Sequence, residues 1–77
     1  MRDLTELRLE IDRIDRQIVE LFEQRMEISG EVAEYKVATG KRILDKEREN
    51  QKLEAVKGMT HNEFNSHGVE ELYKQLM

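Results

Sequence analysis

The chain has no cysteine, no proline and no tryptophan, and only two tyrosines and two phenylalanines among its 77 residues. Without cysteine there are no disulfides and no thiolate metal sites. Without proline nothing enforces a kink or a helix stop, and β-branched runs are few, so helix is favoured over strand throughout. The opening Met1-Arg2-Asp3-Leu4-Thr5-Glu6 lacks the apolar core of a signal peptide, which together with the missing cysteine predicts a cytoplasmic protein. Positive charge is not in excess either: 13 Lys and Arg face 17 Asp and Glu, for a net charge of −4. That balance argues against an electrostatic grip on nucleic acid or on an anionic membrane, both of which want a basic surface. The cations that matter must act locally.

What is present is charge, 39% of residues, and an apolar repeat that fills the first half of the chain. Leu4, Leu7, Ile11, Ile14, Ile18, Leu21, Arg25, Ile28, Val32 and Tyr35 recur at spacings of three and four, the pattern of a helix whose seam meets another helix. Arg25 stands where that seam calls for an apolar residue. A guanidinium there keeps its charge and needs an anion, which need not belong to the protein. No turn signal appears before Thr39-Gly40, so the segment from Thr5 to Val37 is predicted as one helix of about 50 Å. A globule of this length would have a radius of gyration of about 11 Å. The helix therefore calls for a partner chain.

Three helical segments are expected in one domain over residues 1–77, with no internal repeat. The first closes at Thr39-Gly40-Lys41, where glycine takes the left-handed conformation. A short loop leads to Asp45, a good N-cap, and Leu53, Ala55 and Val56 mark a second amphipathic helix that stops at Gly58. Thr60-His61-Asn62-Glu63 has capping-box form, Asn65-Ser66-His67-Gly68 reads as turn, and Val69, Leu72, Tyr73 and Leu76 restart a helical stripe. His61 and His67 then have no partners at ligand spacing, so neither a metal nor a cofactor is expected. Phe22, Tyr35, Phe64 and Tyr73 are expected in the core or at an interface, and Gly30 allows another helix to come close. Met77 lies on the apolar face of an unfinished helix, so the chain is expected to be a fragment cut within its third helix.

The cations fall in a pattern. At about 100° per residue, Arg25, Ser29, Val32 and Lys36 form one stripe, with Lys36 about 16 Å beyond Arg25. Arg8 lies about 25 Å before Arg25, too far to share a small ligand within one chain. In an antiparallel pair crossing near Ile18 or Val19, Arg8 of the partner comes level with residue 29 or 30. Two identical sites result, each completed by the other chain. Glu49 shares a face with Leu53 and Val56, Arg48 adjoins it as an ion pair, and Asp45 is one turn earlier. Arg8, Arg25, Lys36, Asp45, Arg48 and Glu49 would together suit a small polyanion that also bears a hydroxyl. Taken singly, each has a plainer role: a polar heptad position sets register, a lysine is solvated, and the run 45–49 is a wet face with Asp45 as its cap. The joint spacing is what points to a site.

These residues resemble a known family. Leu7-Arg8-Leu9-Glu10-Ile11-Asp12-Arg13-Ile14-Asp15 is similar to the LRxxIxxID opening of the all-helical chorismate mutases, followed at matching spacing by Arg25, by Lys36 and by Asp45-Lys46-Glu47-Arg48-Glu49, similar to their DxxRE motif. The resemblance spans roughly the first 57 residues. It implies an all-α protomer of three helices, one very long, paired as an intertwined antiparallel homodimer that converts chorismate to prephenate in aromatic amino-acid biosynthesis. It also implies that Arg8 from the partner and Arg25 bind the substrate carboxylates, and that Lys36 contacts a carboxylate and the ether oxygen. Arg48 would order the site, and Asp45 and Glu49 would hold the ring hydroxyl. Lys36, Arg25, Arg8 and Glu49 are thus the expected catalytic residues.

Chorismate is a dianion whose rearrangement needs no nucleophile, metal or proton transfer, so a cage of fixed cations suffices. The family's third helix usually runs two to three turns further and adds a serine and a glutamine or glutamate. The sequence stops at Met77, before those positions, which predicts reduced turnover. The alternative is a non-catalytic, mutase-like module that binds an aromatic-pathway metabolite or a partner enzyme. All six charged positions favour the enzyme, since a plain dimeriser has no need of Lys36 or Glu49.

Overall fold

The computed structural model describes residues 1–41 and 45–77, and every regular element among them is helical: α1 (Leu4–Thr39), α2 (Lys46–Gly58) and α3 (Glu63–Leu76). The chain divides into two compact units, Met1–Ile43 and Leu44–Met77. The loop expected after Lys41 falls at residues 42–44, outside the described residues. No helix of the described residues is long and apolar enough to cross a membrane.

The first unit is a single helix of 36 residues, about 54 Å at the usual rise. It starts one residue earlier than the periodicity predicts because Asp3 caps it: its carboxylate accepts the Glu6 N–H at 2.9 Å, satisfying one of the orphan donors of the first turn. Arg2 pairs with Glu10 across the first turns. At the far end Gly40 takes φ 73°, the left-handed stop expected there. None of the 36 residues is buried. The apolar seam from Leu4 to Tyr35 is 36 to 62% exposed at every aliphatic or aromatic position, and each such side chain gains about 1.5–3 kcal/mol when fully covered. An added Cβ at Gly30 meets nothing within 4 Å, so nothing among the described residues requires a glycine there.

The second unit is a helical hairpin. Asp45 caps α2 by accepting the Arg48 N–H at 3.0 Å, and Glu47 and Glu49 lie in the first turn, where carboxylates favour the positive end of the helix dipole. After α2 the Thr60 hydroxyl donates to the Lys57 carbonyl at 2.7 Å. Asn62, rather than Thr60, is the N-cap of α3, accepting the Asn65 N–H at 2.7 Å. Residues 65–68, predicted as turn, are therefore helical. Asparagine, serine and glycine are weak helix formers, but a capped first turn and packing against α2 outweigh their preference. Val56 is the one buried residue among those described, at 6% exposure, while Leu53, Val69, Tyr73 and Leu76 are half-buried around the hairpin. Tyr73 meets the expectation of a packed aromatic. Phe64, 87% exposed, does not belong to the core of its unit.

One ion pair, not foreseen from spacing, ties α2 to α3. Lys57 Nζ lies 2.8 Å from Glu70 Oε2, and Lys74 Nζ lies 3.4 Å from Glu70 Oε1. Hydrogen bonding and charge from Lys57 lower the Glu70 pKa from its ordinary 4.5, while hydrogen bonding to Glu70 and charge from Glu54 and Glu70 raise that of Lys57 above 10.5. A lowered carboxylate pKa stabilises the fold above the unfolded value and ceases to do so as pH falls through the folded one; a raised lysine pKa contributes below the unfolded value and is lost as pH rises through the folded one. The stability difference between the wild-type chain and Glu70→Gln should accordingly be constant near neutrality, shrink below pH 4.5 and shrink again above pH 10.5. Denaturant titrations of both proteins across pH check this, and a difference unchanged down to about pH 2 would exclude the linkage.

Candidate active site

Arg8, Arg25 and Lys36 all lie on α1. Helix geometry sets Lys36 about 16 Å beyond Arg25 and only about 20° round the axis, with Arg8 about 25 Å before Arg25. Four residues of α1 are partly covered, namely Arg25, Ser29, Ala33 and Lys36, while the rest of the helix, Arg8 included, is exposed. They make one stripe with a cation at each end. It is the stripe predicted from spacing, rotated slightly so that Ala33 rather than Val32 is its third member. Ser29 is partly covered within it.

The end of α1 is built around Lys36. This residue is in the last turn, where its positive charge suits the negative end of the helix dipole. Its carbonyl accepts the Lys41 N–H at 2.9 Å and is also approached by the Gly40 N–H. The Gly40 N–H lies 3.4 Å from the Val37 carbonyl. The Thr39 hydroxyl donates to the Tyr35 carbonyl at 2.9 Å and more weakly to that of Lys36 at 3.5 Å. Lys41 Nζ sits 5.3 Å from the centre of the Tyr35 ring, a cation–π contact.

Asp45, Arg48 and Glu49 open α2 in the second unit. Asp45 and Arg48 are brought together through the Arg48 backbone N–H, and Glu49 donates its own N–H to the Asp45 carbonyl at 3.0 Å. The side chains diverge, however. Glu49 is half-covered on the face that carries Leu53 and Val56, whereas Arg48 is exposed, and the two form no ion pair. Adjacent helical residues differ by about 100° in direction and do not face each other. A shallow hollow lined by Glu47, Asn50, Gln51 and Glu54 lies on the opposite face of α2 from Glu49.

His67 differs from its expected surroundings. Because residues 65–68 are helical, its ring and the carboxylates of Glu70 and Glu71 have ligand atoms within 4.8 Å of one another, a grouping that a turn at this point concealed. Both Glu70 oxygens already face ammonium groups, Oε2 that of Lys57 and Oε1 that of Lys74, and Lys74 lies 3.8 Å from Glu71. Lysine charge thus already occupies the surroundings in which a metal ion would have to bind.

A family model described as chorismate mutase type II matches residues 7–77. No curated relative and no solved structure matches the chain. The matched span takes in Arg8, Arg25, Lys36, Asp45, Arg48 and Glu49, and extends beyond the first 57 residues, in which the motifs lie, to include α3 and Met77. The chain belongs to the chorismate mutase type II family, the isomerases that convert chorismate to prephenate.

Proposed function

We propose that this chain carries out the family reaction in an antiparallel, intertwined homodimer with two shared sites, each using Arg25, Lys36, Asp45, Arg48 and Glu49 of one protomer and Arg8 of the other. The observation that carries this reading is the stripe on α1: on a helix otherwise open to water, the two cations expected at the substrate are partly shielded, with small residues between them. Shielding strengthens their field where charge develops.

Chorismate is a dianion, and its rearrangement breaks an ether C–O bond while a C–C bond forms within the same molecule. No proton moves and no group leaves. The protein has to hold the folded diaxial shape and stabilise negative charge on the departing oxygen. Arg25 and the partner's Arg8 clamp the carboxylates, bidentate geometry favouring arginine over lysine. Lys36 donates to the ether oxygen, where its interaction is stronger in the transition state than in the ground state. Glu49 and Asp45 accept from the ring hydroxyl. The exposed seam of α1 supports the dimer, since nine apolar or amphipathic heptad positions in water make an isolated protomer costly.

Three outcomes are expected. Lys36→Ala should lose chorismate turnover by about a hundredfold or more, followed as the decay of chorismate absorbance; a variant as active as wild type would remove Lys36 from the chemistry. Sedimentation should give a dimer at micromolar concentration, and a helical monomer there would rule out a shared site. Asp45→Ala should destabilise the fold by about 1 kcal/mol through the lost cap, whereas Asp45→Asn keeps the cap. Thermal melts separate the two variants, and a raised KM in Asp45→Asn, whose cap is kept, would mark the carboxylate as a substrate contact.

A further inference from the structure

We infer that Gly40, with Thr39 and Lys41, is a positioning element for Lys36, and that its left-handed torsion is what the position requires. The inference rests on the reading that Lys36 contacts the substrate.

Lys36 is only three residues from the end of a 36-residue helix, in the turn where carbonyls lack intrahelical donors and helices fray. A lysine there has a poorly defined backbone unless something closes the turn. Gly40 does so in a Schellman arrangement: the Lys41 N–H returns to the Lys36 carbonyl at 2.9 Å, and the Gly40 N–H lies 3.4 Å from the Val37 carbonyl. The residue whose carbonyl anchors the motif is therefore the one whose ammonium is needed. Two further contacts fasten the same turn. The Thr39 hydroxyl donates to the Tyr35 carbonyl, and Lys41 folds back over the Tyr35 ring, in place of the apolar contact that commonly accompanies such a cap.

Gly40 is the one described residue with positive φ, at 73°. Among the described residues an added Cβ would meet nothing within 4 Å, so what they ask of this glycine is its torsion and not room. That separates the two ways in which a substitution could act. Asparagine tolerates the left-handed region and has space; valine has the same space and does not tolerate the torsion. With valine the cap opens, the Lys36 carbonyl loses its donors and the ammonium loses its fixed origin. Displacements of about 1 Å in a catalytic group can cost a hundredfold in rate.

The test compares the wild-type chain with Gly40→Asn, Gly40→Val and Lys36→Ala, measuring kcat and KM for chorismate and amide exchange at Gly40 and Lys41. Gly40→Val should lose roughly tenfold to a hundredfold, more in kcat than in KM, with faster exchange at both amides. Gly40→Asn should stay close to wild type in both readouts. If wild-type turnover is too slow to follow, calorimetric affinity for chorismate replaces kcat, with the same ranking expected. Equal damage in Asn and Val variants, or fast exchange in Gly40→Val without loss of kcat or affinity, would overturn the positioning role while Lys36→Ala still abolishes turnover. If Lys36→Ala is harmless, the underlying assignment of Lys36 fails, and the role of Gly40 with it.

Discussion

A helix of 36 residues with isoleucine and leucine along one seam and no buried residue is in conflict with water along its whole length. Burying that seam is the constraint on which everything else in this protein depends. Helix propensity and a good cap form α1, but neither gives its apolar side chains anywhere to go. A second α1 is the simplest surface of matching length and chemistry. Pairing two such helices antiparallel would also bring Arg8 to a place it cannot reach in its own chain. In such a pair the hydrophobic requirement and the proposed catalytic one would be met by the same contact.

The chemistry suits so small a framework. A unimolecular rearrangement with no proton transfer asks for charge and shape, and helices deliver both by spacing alone. Arg25 and Lys36 fall on one stripe because eleven residues make almost a whole number of turns. The second unit meets a different demand: its hairpin has one buried side chain, Val56, and adds the Lys57–Glu70 pair between its helices. Caps matter more than usual in such a molecule. Asp3, Asp45 and Asn62 each accept a backbone N–H at a helix start, and Gly40 closes the end that carries Lys36.

Much of this was legible in the sequence because the signals are local. Heptad spacing outlines α1 to within two residues, Gly40 marks its end, and Asp45 is recognisable as a cap. The six charged positions stand out by joint spacing, which the LRxxIxxID and DxxRE resemblances sharpen, and the matched span of the family includes all six. The misreadings also have local causes. Residues 65–68 look like a turn because asparagine, serine and glycine disfavour helix individually, and the cap that overrides them, Asn62, lies two residues beyond the expected Thr60. That shift hid the proximity of His67 to Glu70 and Glu71. The expected Arg48–Glu49 pair failed on simple geometry, since neighbours on a helix point apart.

The sequence by itself determined the all-α class, the long first helix, the left-handed stop at Gly40 and the alignment of Arg25 with Lys36, because each depends on backbone torsions and on a period of about 3.6 residues. Tertiary structure decided where α3 begins, which face of α2 is covered, and that Lys57 meets Glu70. Those outcomes depend on how α2 packs against α3, and the free energy of that packing outweighs the weak preferences of individual residues.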